Sequence, residues 1–568
     1  MFPLPTSRLA LFHPPGHLRQ PDNPFGKDVA NAGLFRALAS FGGYERLSIL
    51  NQVGLTPDAL SQAWFPDVDN HPALDSAPLH DTQWPAQAGV LLRGQPYLAE
   101  LAWLRCQAAL QRDYSLVGLI HTLAPPAVRE LIGSAALAPI EPWDALICTS
   151  PAVQRAMHQL FDQYEHYLAD RLGASRFCRP QLPLIPLAVD VDGIHASASN
   201  RALGQAFRAS HGISEDALVV LWVGRLSFYE KAFPQPMFLA LNQAAQAVEQ
   251  LVHFVMAGWF PGGEQDQRLY EQAAAAYAPA VQLHLLNGND PAVVQACWSA
   301  ADVFFSLVDN IQETFGLTPV EAMAAGLPIV ASEWDGYAYT IRHEKDGFLV
   351  PTLGGAAPGL DALLANLHAL GMETYQTYVG ATAQHTAVDV PQAAAALTRL
   401  LASADLRRSM GASARERARS AFSWPVVVEH YNQLFDHLAA VRRDASTPGS
   451  CLSPQSHPVR GLPFRDFEGF ATQVLSPQHH VVVADGIDLQ QAAERLSTVV
   501  LDRQFPGLRA QPREVERLVS ELVRQPRQSV AELQAHFPSE RSEHIALTLV
   551  WLAKLGIVAC GPPPPASH

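Results

Sequence analysis

An α/β fold made of two parallel sheets, followed by a small mainly helical domain, is predicted by three observations. Short apolar strands without polar alternation recur between helical stretches, as in parallel sheets covered on both faces. The pattern occurs twice, over residues 1–195 and again over 196–441. Beyond that, residues 442–463 are rich in Ser, Pro and Gly and read as a linker, with short helical patterns after it. Together these predict two Rossmann-like domains facing a cleft, with ligands expected beyond the carboxyl ends of the strands.

In the first set, Leu9–Phe12 is a strand and His13–Gly26 a Pro/Gly/Asn-rich loop. A helix is expected from Lys27 to Phe41, with Val29, Leu34, Leu38 and Phe41 on one face, ended by Gly42-Gly43. Leu116–Ile120, Ala145–Cys148 and Leu184–Leu187 are further buried strands. Thr149-Ser150 caps a helix that opens at Pro151.

In the second set, Leu218–Val223 is an uninterrupted apolar strand closed by Gly224. Val252–Met256, Val281–Leu285, Asp302–Ser306 and Ile329–Ser332 complete the sheet. Helical patterns lie between them at Phe238–Leu251, Asp266–Tyr277 and Pro291–Ala300. After Gly347 the pattern turns helical, with helices at Ala393–Leu401, Leu406–Ala421 and Trp424–Leu438. Residues 464–558 carry helical patterns at Gln490–Thr498, Pro512–Val523, Val530–His536 and Glu543–Leu555, then Gly556-Ile-Val558, and resemble a winged helix. Residues 559–568 read as a disordered tail.

The chain has 568 residues, enough for three or four domains, with 48% hydrophobic and 16% charged residues. No apolar run of membrane-spanning length and no signal-peptide pattern is visible. The six cysteines are far apart and make no C-x-x-C pair, which argues against a zinc site or a disulfide framework and suits a reducing, cytoplasmic setting. A formal net charge of −15 argues against general nucleic-acid binding.

Glu313-Thr-Phe-Gly-Leu-Thr-Pro-Val-Glu321 is the most informative stretch. Thr318-Pro-Val-Glu321 reads as a capping box, with Thr318 as N-cap and Pro319 in the first turn, which alone would account for Glu321. Glu313 has no capping duty, Gly316 clears space where a ligand approaches backbone, and Gly326 and Pro328 end the helix early. The start of such a helix attracts phosphate. Two cations, Arg225 and Lys231, come after the strand that ends in Gly224; singly each reads as a solvated side chain. His121 stands at the carboxyl end of a first-set strand, where a structural role and a site role weigh equally.

The Glu313–Glu321 segment, with Ala322–Ser332 and Asp346-Gly-Phe-Leu-Val350 after it, resembles the Glu-x7-Glu motif of the retaining family-4 glycosyltransferases, which have the GT-B fold. Val223-Gly-Arg-Leu226 and Lys231 resemble that family's Gly-Arg-Leu…Lys signature, although the spacer Ser227-Phe-Tyr-Glu230 is longer than the commonest form. Phe422-Ser-Trp424 resembles its ending, where the last helices, here about residues 422–440, cross back to the first domain. The resemblance covers roughly residues 1–440. It implies an acceptor side in 1–195, a donor domain in 196–441, and a sugar moved with retention from a nucleotide-diphosphate donor to a glycan, lipid or small molecule.

The resemblance implies a role for each residue. Glu313 lies beside the donor sugar, Phe315-Gly316-Leu317-Thr318 offer amides to the diphosphate, and Glu321 binds ribose hydroxyls. Arg225 and Lys231 neutralise the leaving diphosphate, His121 contacts the sugar, and Gly26, the one Gly of Asn23-Pro-Phe-Gly-Lys-Asp28, lies near the phosphates and acceptor. No cofactor and no metal are implied; the nucleotide-sugar is a co-substrate. An epimerase or phosphorylase of the same fold, or a sugar-nucleotide sensor, stays open. The last domain resembles helix-turn-helix packing. Its Arg513, Arg517, Arg524 and Arg527 are interleaved with acids, which favours a protein partner over DNA. Peripheral membrane contact stays open as well.

Overall fold

The computed structural model describes residues 7–14, 26–52, 54–65, 71–445, 456–504 and 506–561. Most of the expected loop after His13, the middle of the linker and the tail past residue 561 lie outside the described residues. The chain divides into two units, Met1–His457 and Pro458–His568.

The first unit holds two six-stranded sheets. One runs β1 Arg8–His13, β2 Arg46–Asn51, β3 Ala73–Pro78, β4 Val90–Arg93, β5 Ser115–Leu119 and β6 Ala145–Ile147. The other runs β7 Leu218–Val223, β8 Val252–Gly258, β9 Val281–Asn287, β10 Val303–Ser306, β11 Ile329–Ser332 and β12 Gly347–Val350. Their orders are β3-β2-β1-β4-β5-β6 and β12-β11-β10-β7-β8-β9. Every pair in both sheets is parallel. The order reverses between β1 and β4 and again between β7 and β10, and ligands bind at such switch points. This is the pair of Rossmann-like sheets that the strand pattern predicts.

β7 shows why these residues form a central strand. All six of its side chains are buried, because helices cover both faces. Helix α1 (Gly26–Phe41) buries Ala30, Leu34, Ala37 and Leu38, while Val29 and Phe41 are exposed. The expected face is wrong at both ends. Val29 is five residues from Leu34, roughly 140° around the helix, and Phe41 is the last helical residue. Helix α2 (Pro151–Leu172) starts as expected, with Ser150 accepting from Val153 N.

Leu184–Leu187 is not a strand. It makes only an isolated bridge to Cys148, because Pro183 and Pro186 remove the donors a ladder needs. The region after Gly347 is also less helical than expected. β12 completes the second sheet, and Thr352–Gly354 pairs antiparallel with Thr386–Val388 around two further helices.

Helix α3 (Leu317–Ala325) comes after β10, and helix α4 (Trp424–Asp444) is the last of the unit. α4 buries Val427, Tyr431, Leu434 and Leu438 in one cluster with Leu9, Leu34 and Val117 of the first sheet's side. Tyr44 Oη donates to Asn432 at 2.6 Å, and a Cβ on Gly33 would lie 2.6 Å from Trp424. The last helix thus packs on the first sheet by close fit as well as by apolar burial.

In the second unit, His480–Val483 is the middle strand of a three-stranded antiparallel sheet, between Gln528–Ser529 and Val558–Gly561. The helices Leu489–Thr498, Pro512–Arg524, Val530–Gln534 and Ser542–Lys554 accompany it, over a core that includes Val481, Leu518, Leu533, Ile545 and Leu549. Cys106 is disulfide-bonded, whereas Cys148, Cys178, Cys297 and Cys560 are free. That cross-link departs from the expectation of scattered thiols. No helix among the described residues is long and apolar enough to cross a membrane.

Candidate active site

The helix start at α3 differs from the capping box read in the sequence. Gly316, not Thr318, is the N-cap, and no side chain caps the helix. Thr318 lies inside the first turn, and Glu321 is the fifth helical residue, too far along to cap. The amides of Leu317, Thr318 and Val320 therefore start the helix without a side-chain acceptor; Pro319 has none to offer. Gly316 holds a φ of +83°, and a Cβ there would lie 2.1 Å from the Tyr337 ring. Packing against Tyr337 therefore requires a glycine at 316 by itself.

The cations stand on the loop after β7. Gly224 ends the strand, and a Cβ on Gly258 would lie 1.9 Å from the Gly224 carbonyl oxygen, so the ends of β7 and β8 stack backbone on backbone. Arg225 Nη1 donates to Glu230 Oε2 at 2.6 Å, and Gln376 Nε2 donates to the other Glu230 oxygen at 3.1 Å. Lys231 Nζ pairs with Glu313 Oε2. The long spacer does not carry Lys231 away. Ser227 Oγ accepts from Glu230 N at 3.1 Å and Ser227 O from Lys231 N at 3.0 Å, so the spacer folds into a tight turn. Asn310 Nδ2 donates to Tyr229 O at 2.9 Å and ties this turn to the loop bearing Glu313.

The electrostatics are set by burial and pairing. Glu321 packs deeply enough that burial pushes its carboxyl up to about 7, with Lys231 pulling it back. Asp335 is pushed up to about 7 by burial, lowered by a bond from Ser150 and raised by Glu313. His121 stands just past β5; burial pushes its ring down to about 4, the Gly94 backbone opposes that, and Lys27 adds to it. Its Nε2 lies 2.9 Å from Asn31 Oδ1, and Asn31 Nδ2 donates to Gly94 O at 2.9 Å. That chain calls for a proton on Nε2, donated to Asn31, and burial favours the neutral ring. Gly94 has to be small, since a Cβ there would lie 2.5 Å from Asn31 Oδ1.

Every sequence-predicted site residue lines one cavity of about 540 Å³, set between the switch points of the two sheets. From the second sheet come Arg225, Lys231, Glu313, Phe315, Gly316, Leu317, Thr318 and Glu321, and from the first come Gly26 and His121. The Phe315 side chain itself is buried against Phe422. A Cβ on Gly26 would meet nothing within 4 Å, so local packing does not demand glycine there. Glu230, Tyr97, Gly258 and Gly288 line the same cavity and are not singled out by the sequence reading. Gly258 and Gly288 lie at the ends of two recognised strands, a signal that could have found them.

An uncapped helix start with two cations beside it suits a diphosphate, and two carboxylates suit sugar hydroxyls. Each cation already has a carboxylate partner, so an incoming diphosphate has to share or displace those pairs.

Residues 205–366 match the family model described as Glycosyl transferases group 1. The chain is 24% identical over 355 residues to a D-inositol 3-phosphate glycosyltransferase of Corynebacterium efficiens, covering 61% of this chain and 72% of that protein. It is 29% identical over 148 residues to an uncharacterized glycosyltransferase of Methanocaldococcus jannaschii, covering 25% of this chain and 34% of that one. Over 107 residues it is 37% identical to a phosphatidyl-myo-inositol mannosyltransferase of Mycobacterium leprae, covering 19% and 27%. Among solved structures, Anabaena HepE in complex with UDP-glucose aligns over 76% of this chain and 99% of its own at 14% identity and a TM-score of 0.47. Arg225, Lys231, Glu313 and Glu321 all lie within the residues that match the Glycosyl transferases group 1 model.

Proposed function

We propose that this chain is a retaining, metal-independent glycosyltransferase that uses a nucleotide-diphosphate sugar. The observation that carries the proposal is the convergence of the uncapped α3 start, Arg225, Lys231, Glu313 and Glu321 on one cavity. The match of residues 205–366 to the group 1 transferases supports it. The amides of Leu317 and Thr318 receive the diphosphate together with Arg225 and Lys231, and Glu321 takes the ribose hydroxyls. Glu313 orients the sugar, and neutral His121 offers its ring to a sugar hydroxyl or the acceptor.

In the transfer, the bond from the sugar's anomeric carbon to the diphosphate oxygen breaks. The acceptor oxygen bonds that carbon on the same face, and its proton passes to the leaving phosphate. Fixed cations and amides stabilise the charge that develops on the leaving group. The acceptor is a glycan, a lipid or a small molecule. The four thiols that are free among the described residues support cytoplasmic action; the disulfide at Cys106 does not. We read the second unit, a three-stranded sheet accompanied by short helices, as winged-helix-like.

A panel of nucleotide-sugars tests the proposal. A true donor raises the unfolding midpoint by binding only the folded state. Transfer from that donor, with the product's anomeric configuration read by NMR, then decides retention. An inverted product would overturn the retaining mechanism, and absence of any shift across uridine, guanosine and adenosine diphosphate sugars would overturn the reading as a whole.

A further inference from the structure

The two sheets of the first unit touch beside the cavity through hydrogen bonds that the proposed mechanism does not use. Ser150 lies just past β6 and is fully buried. Its hydroxyl accepts from Val153 N at 3.1 Å, which leaves its proton for Asp335 Oδ1, 2.7 Å away on the second-sheet side. Next to it, Thr149 Oγ1 donates to Thr314 O at 3.3 Å, and Thr314 Oγ1 donates to His121 O at 2.7 Å. These bonds land on either side of the loop that opens α3.

Asp335 holds a φ of +38°, a conformation a non-glycine residue keeps only when its surroundings impose it. The next two residues, Gly336 and Tyr337, are interlocked with the helix start. A Cβ on Gly336 would lie 2.3 Å from Phe315 Cα, and a Cβ on Gly316 would lie 2.1 Å from the Tyr337 ring. Segments 315–316 and 336–337 thus fit into each other without slack, and one cannot shift without moving the other. Asp335 also faces Glu313, so losing the Ser150 bond would leave one carboxylate beside another in a half-buried place.

We propose that the Ser150–Asp335 hydrogen bond transmits contact between the two sheets to the Phe315–Thr318 loop, so that Ser150 and Asp335 are positioning residues for the donor's diphosphate. The catalytic part of this proposal rests on the transferase reading; the mechanical part does not. Contact between the sheets fixes the loop's amides, and separation loosens them. Donor bound without that contact is held in poor geometry for transfer.

The test uses the full chain and four variants. Ser150→Ala and Asp335→Gly remove the bond; Ser150→Thr keeps a hydroxyl, and Asp335→Asn keeps an acceptor and tolerates the positive φ. Amide hydrogen exchange of the peptide covering residues 313–318 is measured without ligand. UDP-glucose and GDP-mannose serve as donor probes for KM, kcat and hydrolysis without acceptor. Ser150→Ala and Asp335→Gly are expected to speed exchange of that peptide roughly tenfold. They should lower kcat roughly 10- to 100-fold with little change in donor KM. Ser150→Thr and Asp335→Asn should restore both.

Exchange equal to the parent's in both Ser150→Ala and Asp335→Gly overturns the coupling. Faster exchange with parental kcat overturns the positioning role. If Ser150→Ala fails to fold for want of its helix cap, Asp335→Gly decides, since it leaves that cap intact. If the parent turns over neither probe, the transferase reading fails for these donors, and the exchange result still decides the coupling.

Discussion

The two six-stranded sheets share one strand order and differ in what they set at its switch point. The second sheet places Arg225, Glu230, Lys231, Glu313 and Glu321 at the cavity, five ionisable groups paired or crowded within one wall. The first sheet places Lys27, a neutral His121, Tyr97 and the apolar Val29, Pro96, Pro125 and Val128. The fold is the same, so the difference lies in the loops. One wall is built to hold concentrated charge by fixed counter-charges and amides. The other offers shape, one neutral ring and few charges. Under the proposed function, this is the division between the donor side and the acceptor side.

The largest effect should come from the charged wall. Arg225→Ala is expected to lower transfer by roughly 10²–10³-fold, read in steady-state assays, with little change in unfolding midpoint. Full activity would remove Arg225 from the mechanism and weaken the contrast between the walls. Next in size is Gly316→Ala. With φ at +83° and the Tyr337 ring 2.1 Å from the new Cβ, the change should destabilise the fold by roughly 2–4 kcal/mol in chemical denaturation. A variant as stable as the parent would show that the donor loop can yield.

Glu321→Gln should act in two directions. Donor affinity should fall by about 1–3 kcal/mol in calorimetry. The protein without donor should gain stability. Its carboxyl stands near 7 in the folded state against an ordinary 4.5, so the folded chain binds more protons and loses stability as pH rises between those values. Removing the charge should therefore gain roughly 1–2 kcal/mol at pH 8 and nothing at pH 4. Unchanged donor affinity would leave Glu321 without a role in the site.

The smallest effect belongs to the neutral wall. His121 stands near 4 against an ordinary 6.5, so the folded chain resists protonation and stability is lost as pH falls through that window. His121→Gln should flatten this acid limb by roughly 1 kcal/mol between pH 7.5 and 5. His253 and His284, 2.9 Å apart and both held low mainly by burial, should maintain part of the limb in the variant. A limb of unchanged steepness would mean that the ring is solvated and takes up protons freely.

The legible parts of the fold are those written in continuous apolar runs. β7, β10 and β11 stand out because buried parallel strands need no polar face. β2 and β3 do not: Arg-Leu-Ser-Ile-Leu-Asn carries Ser and Asn that are buried all the same, and Ala-Leu-Asp-Ser-Ala-Pro is the edge strand, where burial is incomplete. The sequence places the α3 cap two residues late, because Thr and Pro are favoured cap-region residues and the positive φ of Gly316 is a tertiary outcome. Glu230 looks like a spacer residue, and only the turn at Ser227 brings it to Arg225.

By itself the sequence determined the two-sheet plan, the position of the second sheet's charged loops and the residue types that a diphosphate and a sugar would need. Those features are local: runs, caps and side chains close in the chain. The tertiary structure alone decided which charge meets which, as in Lys231 with Glu313 across 82 residues and Ser150 with Asp335 across 185. It also decided which glycines are required by packing. Hydrogen bonds and close contacts act over a few ångströms, and which distant segments come that near is set by the packing of the whole domain, not by any stretch of the chain read alone.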